Sequence, residues 1–230
     1  MNILFLILST FYIALLLLQP ALPQPFMALF KTLPIGLLIV MVLKGRSQLQ
    51  NRTFITLLFA LSFSALGDVL LAFDTGQHFI GGLAAFFVSH AFYIITMLPI
   101  KNWRLDVVLL YLFLAIIVFC LFYPNLNDML IPVIFYMLVL TIMASITWMT
   151  DKSNGFLVLG GAVFVISDSI LGLNRFYLEI AHADIAIMGS YYLAPKPYLS
   201  RVQIRQAKRY SIISLGVVLI VYIGRPPRSC

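Results

Sequence analysis

Two carboxylates stand where a charge is costly. Asp68 lies in SALGDVLL and Asp168 in FVISDSILGLNRF, both inside long apolar runs. An Asp at the centre of a membrane-spanning helix costs about 2.5–3.5 kcal/mol on insertion scales. Such residues face a bundle interior or a wet cavity and are functional candidates by default. Two acids in unlike surroundings can divide acid and base work. Burial favours the neutral form of one, and a neighbouring cation keeps the other ionised. Lys31, in FKTLP, is the candidate cation, and His90, in FFVSHAFY, can relay a proton or hold a water. Tyr136 in IPVIFYML, Tyr191 in SYYLA, and Asn174 and Arg175 in GLNRF complete the candidate set. No metal is required: one His among two Asp lacks the several His of an intramembrane zinc hydrolase.

Each candidate also has a plainer reading. Lys31 can snorkel to an interface. His90 can serve only as a hydrogen-bonding group between helices. Tyr136 and Tyr191 can be packing or belt residues, and Ser167 can satisfy its own helix backbone. A salt bridge from Lys31 to one acid leaves the other acid unpaired, so the two acids together are read as functional. Asp74, Asp106, Asp128 and Asp151 read as ordinary loop charges.

The elements that must position these groups are membrane helices. Of 230 residues, 62% are hydrophobic and only 10% charged, where a soluble domain carries about a quarter charged residues. The mean hydropathy is +1.04. The apolar runs are continuous and too long for barrel strands. The expected fold is all-α, a polytopic bundle of about eight transmembrane helices with an intramembrane polar cavity. The spans run over about 3–19, 26–43, 53–73, 79–99, 104–122, 130–149, 155–173 and 181–196, separated by breakers such as QPALPQP, DTGQ and TDKSNG. The N-terminal run lacks a positive leader region and is read as a retained first span.

Lys and Arg set the orientation. Lys44, Arg46 and Arg52 fall in the second connection, Lys101 and Arg104 in the fourth, and Lys152 in the sixth. Lys196, Arg201, Arg205, Lys208 and Arg209 follow the eighth span. Even connections and both termini are therefore expected in the cytoplasm. This places Lys31, Asp68, Tyr136 and Asp168 in the outer half of the bilayer and His90 nearer its middle. One outward-facing cavity shared by these residues would admit an amphiphile with its headgroup in water and its chain among the lipids. Residues 1–196 form the transmembrane domain. Residues 197–230 form a basic tail whose apolar segment from Ser211 is expected to be interfacial or a marginal extra span, behind a stretch suited to anionic headgroups. The net charge of +7 sits in short loops, so nucleic acid is not a partner. Cys120 and Cys230 lie far apart, one in an expected span and one at the terminus, and neither suggests a disulfide framework or a metal site.

The ordered pieces FKTLP, SALGDVLL, AAFFVSHAFYI, PVIFYMLVLTIMA, GGAVFVISDSILGLNRF and SYYLA cover about residues 25–195. In this order and spacing the chain resembles the YhhN-like family of multispan membrane proteins, whose characterised animal members are lysoplasmalogenases. It departs from the family pattern at Lys31-Thr32-Leu33-Pro34, where Lys-Pro is usual, at Pro195, where Gln is usual, and from Lys196 onward. The resemblance implies a cofactor-free hydrolase acting on the vinyl ether of a lysoplasmalogen-like lysophospholipid. The products would be a fatty aldehyde and a glycerophospho-headgroup, and the setting a bacterial inner membrane. A vinyl ether is hydrolysed by protonating its β-carbon, giving an oxocarbenium ion that water attacks. Two carboxylates divide comparable tasks in glycosidases. On this reading Asp68 and Asp168 are acid and base in an order left open, with His90 assisting. Lys31 and Arg175, beside Asn174, meet the phosphate, and Tyr136 and Tyr191 position the chain or the ether oxygen. The rival class is a proton-coupled transporter or flippase of an amphiphile. Against it stand the lack of repeated halves and of a Gly/Pro-broken helix pair. A non-catalytic lipid-binding or scaffold protein is the third reading, and the oligomeric state is left open.

Overall fold

The structure is a computed structural model that describes residues 2–18, 22–73, 76–178, 180, 183–192, 211–215 and 218–222. Among these residues the chain forms eight α-helices: α1 (Asn2–Leu18), α2 (Gln24–Lys44), α3 (Asn51–Ala72), α4 (Gly76–Met97), α5 (Leu105–Phe122), α6 (Leu130–Met149), α7 (Gly155–Phe176) and α8 (Ala183–Tyr192). Six of them, α2 to α7, are long and apolar enough to cross a membrane. The chain is thus an integral multi-pass membrane protein. Of the eight expected spans, α1 is a shorter apolar helix, and α8 is described over only 10 residues. Ser211–Leu215 and Val218–Tyr222 pair antiparallel. The remainder of the tail, including Pro195 and Lys196, lies outside the described residues.

The helices end where the sequence supplies breakers and caps. Pro25 stands in the first turn of α2, where a missing N–H costs nothing. The Asn154 side chain accepts from the backbone N–H of Phe156 and Leu157 at 3.0 and 3.1 Å, closing the orphan donors at the start of α7. Pro34, inside α2, offers no N–H to the Phe30 carbonyl, one residue before Lys31.

Packing in hydrocarbon relies on small side chains and interhelical hydrogen bonds, because apolar contact alone gives little advantage over lipid. The α3–α4 seam shows this. Ser89 donates to the Ala60 carbonyl at 2.8 Å, so its 2.7 Å contact with Ser64 is donated by Ser64. Thr96 and Thr56 meet at 2.7 Å. Gly67 lets the Phe86 ring lie against α3, for a Cβ there would come within 2.6 Å of it. At one end of the bundle the connection after α4 is latched to the connection after α6. Lys101 N–H donates to Met149 O at 2.8 Å, and Lys152 Nζ donates to Thr96 O at 2.6 Å. α5 is the least embedded of the six long helices, and most of its apolar side chains face outward.

Candidate functional site

The polar side chains gather toward the opposite end, where α3 and α7 finish. Lys31 on α2 reaches across to α3, with its Nζ 3.3 Å from Asp68 Oδ1 and side chains only 11% and 3% exposed. Taking two ions out of water is repaid only by good geometry and further polar contacts. Tyr12 on α1, itself buried, supplies a hydroxyl within electrostatic range of Asp68. The Tyr136 hydroxyl, from α6, donates to Asp168 Oδ2 on α7. Asp68 is within electrostatic range of both Asp168 and Tyr136.

The acids do not open onto one shared cavity. α3 packs along α2 and α4, while α7 packs along α6, α8 and the end of α5. Two adjoining cavities result. A polar vestibule of about 2020 Å³, counting its open mouth, is lined by Tyr12, Lys31, Asn125, Asn174, Arg175 and Asp184 among others. An apolar cavity of about 670 Å³, likewise counting its open side, lies among α4, α5, α6 and α7, and Asp168 and Tyr136 are among its few polar lining groups. Phe79, Leu171 and Phe176 line both cavities and form the partition between them. Asp68 lies behind Lys31 and lines neither.

The other candidates fall as follows. His90 is fully buried and lines neither cavity. Its Nδ1 contacts the Phe86 carbonyl, which can only accept, so Nδ1 carries the hydrogen and Nε2 is a bare acceptor. Nε2 is buried with no hydrogen-bond partner. The ring stands edge-on to Tyr136 and Phe164 at 5.5 and 4.8 Å between centroids. His90 thus reaches the cavity only through Tyr136. Arg175 lies over the Phe79 ring at 5.0 Å. Asn174 Oδ1 accepts from the Ile180 N–H at 2.8 Å and fixes the turn after α7. Ser167, rather than closing on its own helix, bonds the Ile187 carbonyl of α8 at 3.4 Å. The Tyr191 side chain lies outside the described residues.

Sequence reasoning missed Tyr12, Phe79 and Tyr111. Tyr12 carries a signal of its own, a phenol beside Ser9 and Thr10 in the middle of a mostly apolar helix. Phe79 and Tyr111 carry none, because an aromatic residue in a span is ordinary.

Six spanning helices around a buried charge pair and a carboxyl–hydroxyl pair define a polytopic membrane protein with a polar interior beside an apolar cavity. The chain belongs to the YhhN family, whose family model matches residues 26–195. A human protein named lysoplasmalogenase TMEM86A is 30% identical over 188 residues, 75% of this chain and 76% of the relative. The Bos taurus protein of the same name is 28% identical over 187 residues, with the same shares of the two chains. A Mycobacterium bovis protein named lysoplasmalogenase is 29% identical over 141 residues, covering 57% of this chain and 54% of the relative. No solved structure matches the chain.

Proposed function

We propose that this protein is a membrane hydrolase that cleaves the vinyl ether of lysoplasmalogen-like lysophospholipids. The observation that carries the reading is the position of Asp168. It borders an apolar cavity separated by a single aromatic partition from a vestibule holding Lys31 and Arg175. A lysolipid has the matching shape: an anionic phosphate, a short glycerol, then the vinyl ether and its chain. The phosphate meets Lys31 and Arg175 beside Asn174, the glycerol crosses at Phe79 and Phe176, and the vinyl ether arrives at Asp168.

The roles follow from the surroundings. Asp168 hands its proton to the β-carbon, and the ether oxygen stabilises the resulting oxocarbenium ion. Asp68, fixed by Lys31, is the anion whose charge steadies this cation through space, being within electrostatic range of Asp168. Water adds to the α-carbon and releases a proton that restores Asp168. The hemiacetal then collapses to the fatty aldehyde and the glycerol alcohol. Tyr136 holds Asp168 toward the cavity, and His90 holds Tyr136. Tyr191 is assigned to the chain or the ether oxygen on the sequence alone. No cofactor enters the scheme.

α1 and α8 are taken as the first and eighth spans, with both termini cytoplasmic in a bacterial inner membrane and residues 197–230 as a basic interfacial tail. Reporter fusions at both ends of the chain test that orientation.

The test of activity is aldehyde release by purified protein from a 1-alkenyl lysophospholipid. Turnover is expected in the wild type and lost in folded Asp68→Asn and Asp168→Asn variants. Full activity in both variants overturns the scheme. Proton-dependent solute flux in liposomes without aldehyde marks a carrier instead.

A further inference from the structure

The apolar cavity has a closed inner end and a side that faces lipid. Tyr111 on α5 packs with Val107 and Ala144, and Val165 packs against them, forming a small cluster separate from the main core. Tyr111 and Val165 also line the cavity, so this cluster is its floor. Higher on α5, one turn or so from the floor, Leu114 lines the same cavity and is still 40% exposed. A side chain that does both marks a gap in the cavity wall. α5, being the least embedded long helix, is where such a gap is expected.

Depth decides what the gap is for. Below the Tyr136–Asp168 pair the lining reaches Thr141 on α6 and Val165 on α7. At 1.5 Å per residue the floor therefore lies roughly 5–8 Å below the level of the acid. A fully extended chain advances about 1.2 Å per bond, three bonds filling the 3.3–3.6 Å of one extended residue. Only about four to six carbons beyond the vinyl ether fit above Tyr111. A membrane lysolipid has a much longer chain, and its remainder needs a route out.

We infer that the cavity is an alkyl-chain subsite with a lateral portal at Leu114, in which Tyr111 turns the chain sideways and its distal part stays in the bilayer. The inference rests on the lysolipid reading above for the class of its ligand. The ether-proximal carbons are held by the protein, and the tail by lipid. The aldehyde leaves through the portal along its own chain, while the glycerophospho-product leaves through the vestibule.

The test separates short from long chains and does not depend on turnover. The probes are non-cleavable 1-O-alkyl lysophospholipids with chains of about six carbons, which that depth holds, and about sixteen, which far exceed it. Binding is measured on the full-length protein by native mass spectrometry in one detergent. Leu114→Trp enlarges the half-exposed side chain at the gap. It is expected to weaken the long-chain probe about tenfold or more and the short-chain probe less than about twofold. Leu114→Phe, a smaller change at the same place, is expected to do the same to a lesser degree. Leu110→Trp, on a lipid-facing position outside the lining, is expected to leave both unchanged. Equal loss of both probes, or loss of neither, in the two Leu114 variants overturns the portal. Chain discrimination without vinyl-ether turnover by the wild type keeps the portal and overturns the hydrolase reading. Turnover without chain discrimination does the reverse.

Discussion

Replacing Lys31 with Met probes the buried charge pair directly. The ammonium and carboxylate stand 3.3 Å apart. At an effective dielectric of 20 that separation gives roughly 5 kcal/mol of attraction, much of it offset by the water both ions have lost. Removing one partner of a buried pair costs about 3–5 kcal/mol, because the other is left uncompensated. The two ends are not equivalent here. Lys31 lines the vestibule and keeps 11% exposure, whereas Asp68 keeps 3% and lines neither of the two cavities. Deprived of Asp68, the lysine head can turn into water; deprived of Lys31, the carboxylate has no such route. Lys31→Met is therefore expected to cost about 3 kcal/mol, at the low end of the range because water can follow through the vestibule. Asp68→Asn is expected to cost about 1 kcal/mol, the order of one hydrogen bond. The double variant is expected to recover about 2 kcal/mol relative to the sum of the two. Reversible unfolding in mixed micelles by a denaturing detergent, followed by circular dichroism, measures all three. Equal losses in the two single variants, or a double variant that loses their sum, refutes the reasoning.

Asp168→Asn is expected to lower aldehyde release by about 10²–10⁴-fold, the range for a lost general acid. Tyr136→Phe keeps the ring against His90 and removes only the donor to Asp168; a loss of about 10²-fold in turnover is expected. Gly172→Ala puts a Cβ within 2.4 Å of the Phe122 ring and is expected to cost about 1–3 kcal/mol by overpacking in the same unfolding assay. Gly36→Ala meets nothing within 4 Å and is expected to be neutral or slightly stabilising. At the latched end, burial holds the Lys152 amine below its ordinary value of 10.5, with Asp151 opposing and Arg52 reinforcing the shift. The folded state then releases this proton before the unfolded chain does. Stability should rise with pH up to about 10.5 through this group, and Lys152→Met should remove that part of the slope in unfolding measured across the alkaline range.

The helical elements were the most legible part of the chain. Each long run of apolar residues fills the thickness of a bilayer, and each gap carries Pro, Gly, Asn or charge, so the sequence-derived limits of the third to seventh spans fall within a few residues of the observed helices. The first and eighth spans were the least secure, because α1 is short and α8 is described over 10 residues. Within the site, isolated polar residues in apolar runs were easy to single out, and Lys31 does meet Asp68 while Tyr136 meets Asp168. Their grouping into two pairs was not legible. It depends on which helices touch, and no local pattern in α3 or α7 encodes that α3 packs on α4 and α7 on α6. The partition was hidden for a similar reason: Phe79 and Phe176 look like ordinary span aromatics until their rings are seen at 5.7 Å, edge to face.

That partition bears on the chemistry. In a single wet cavity, two nearby carboxyl groups would compete as like charges, and neither would be assigned a lasting role. Here one acid has a lysine as its partner at the vestibule side, and the other has a neutral phenol in mostly apolar surroundings. Carbon protonation needs a carboxylic acid beside the alkene, and the cation it creates needs a fixed negative charge within range. Under the proposed reaction the two environments supply these separately, and the same division would sort a lysolipid into its polar and apolar parts. A consequence follows for Asp68→Glu. The longer side chain keeps the charge but moves the carboxylate by about one bond, so Lys31, now 3.3 Å from it, must shift. Binding of a non-cleavable lysolipid should therefore fall together with turnover in this variant, because the vestibule cation moves with its anion. Asp168→Asn should lose turnover and keep binding. Unchanged binding in Asp68→Glu would mean that Lys31 takes no part in holding the headgroup.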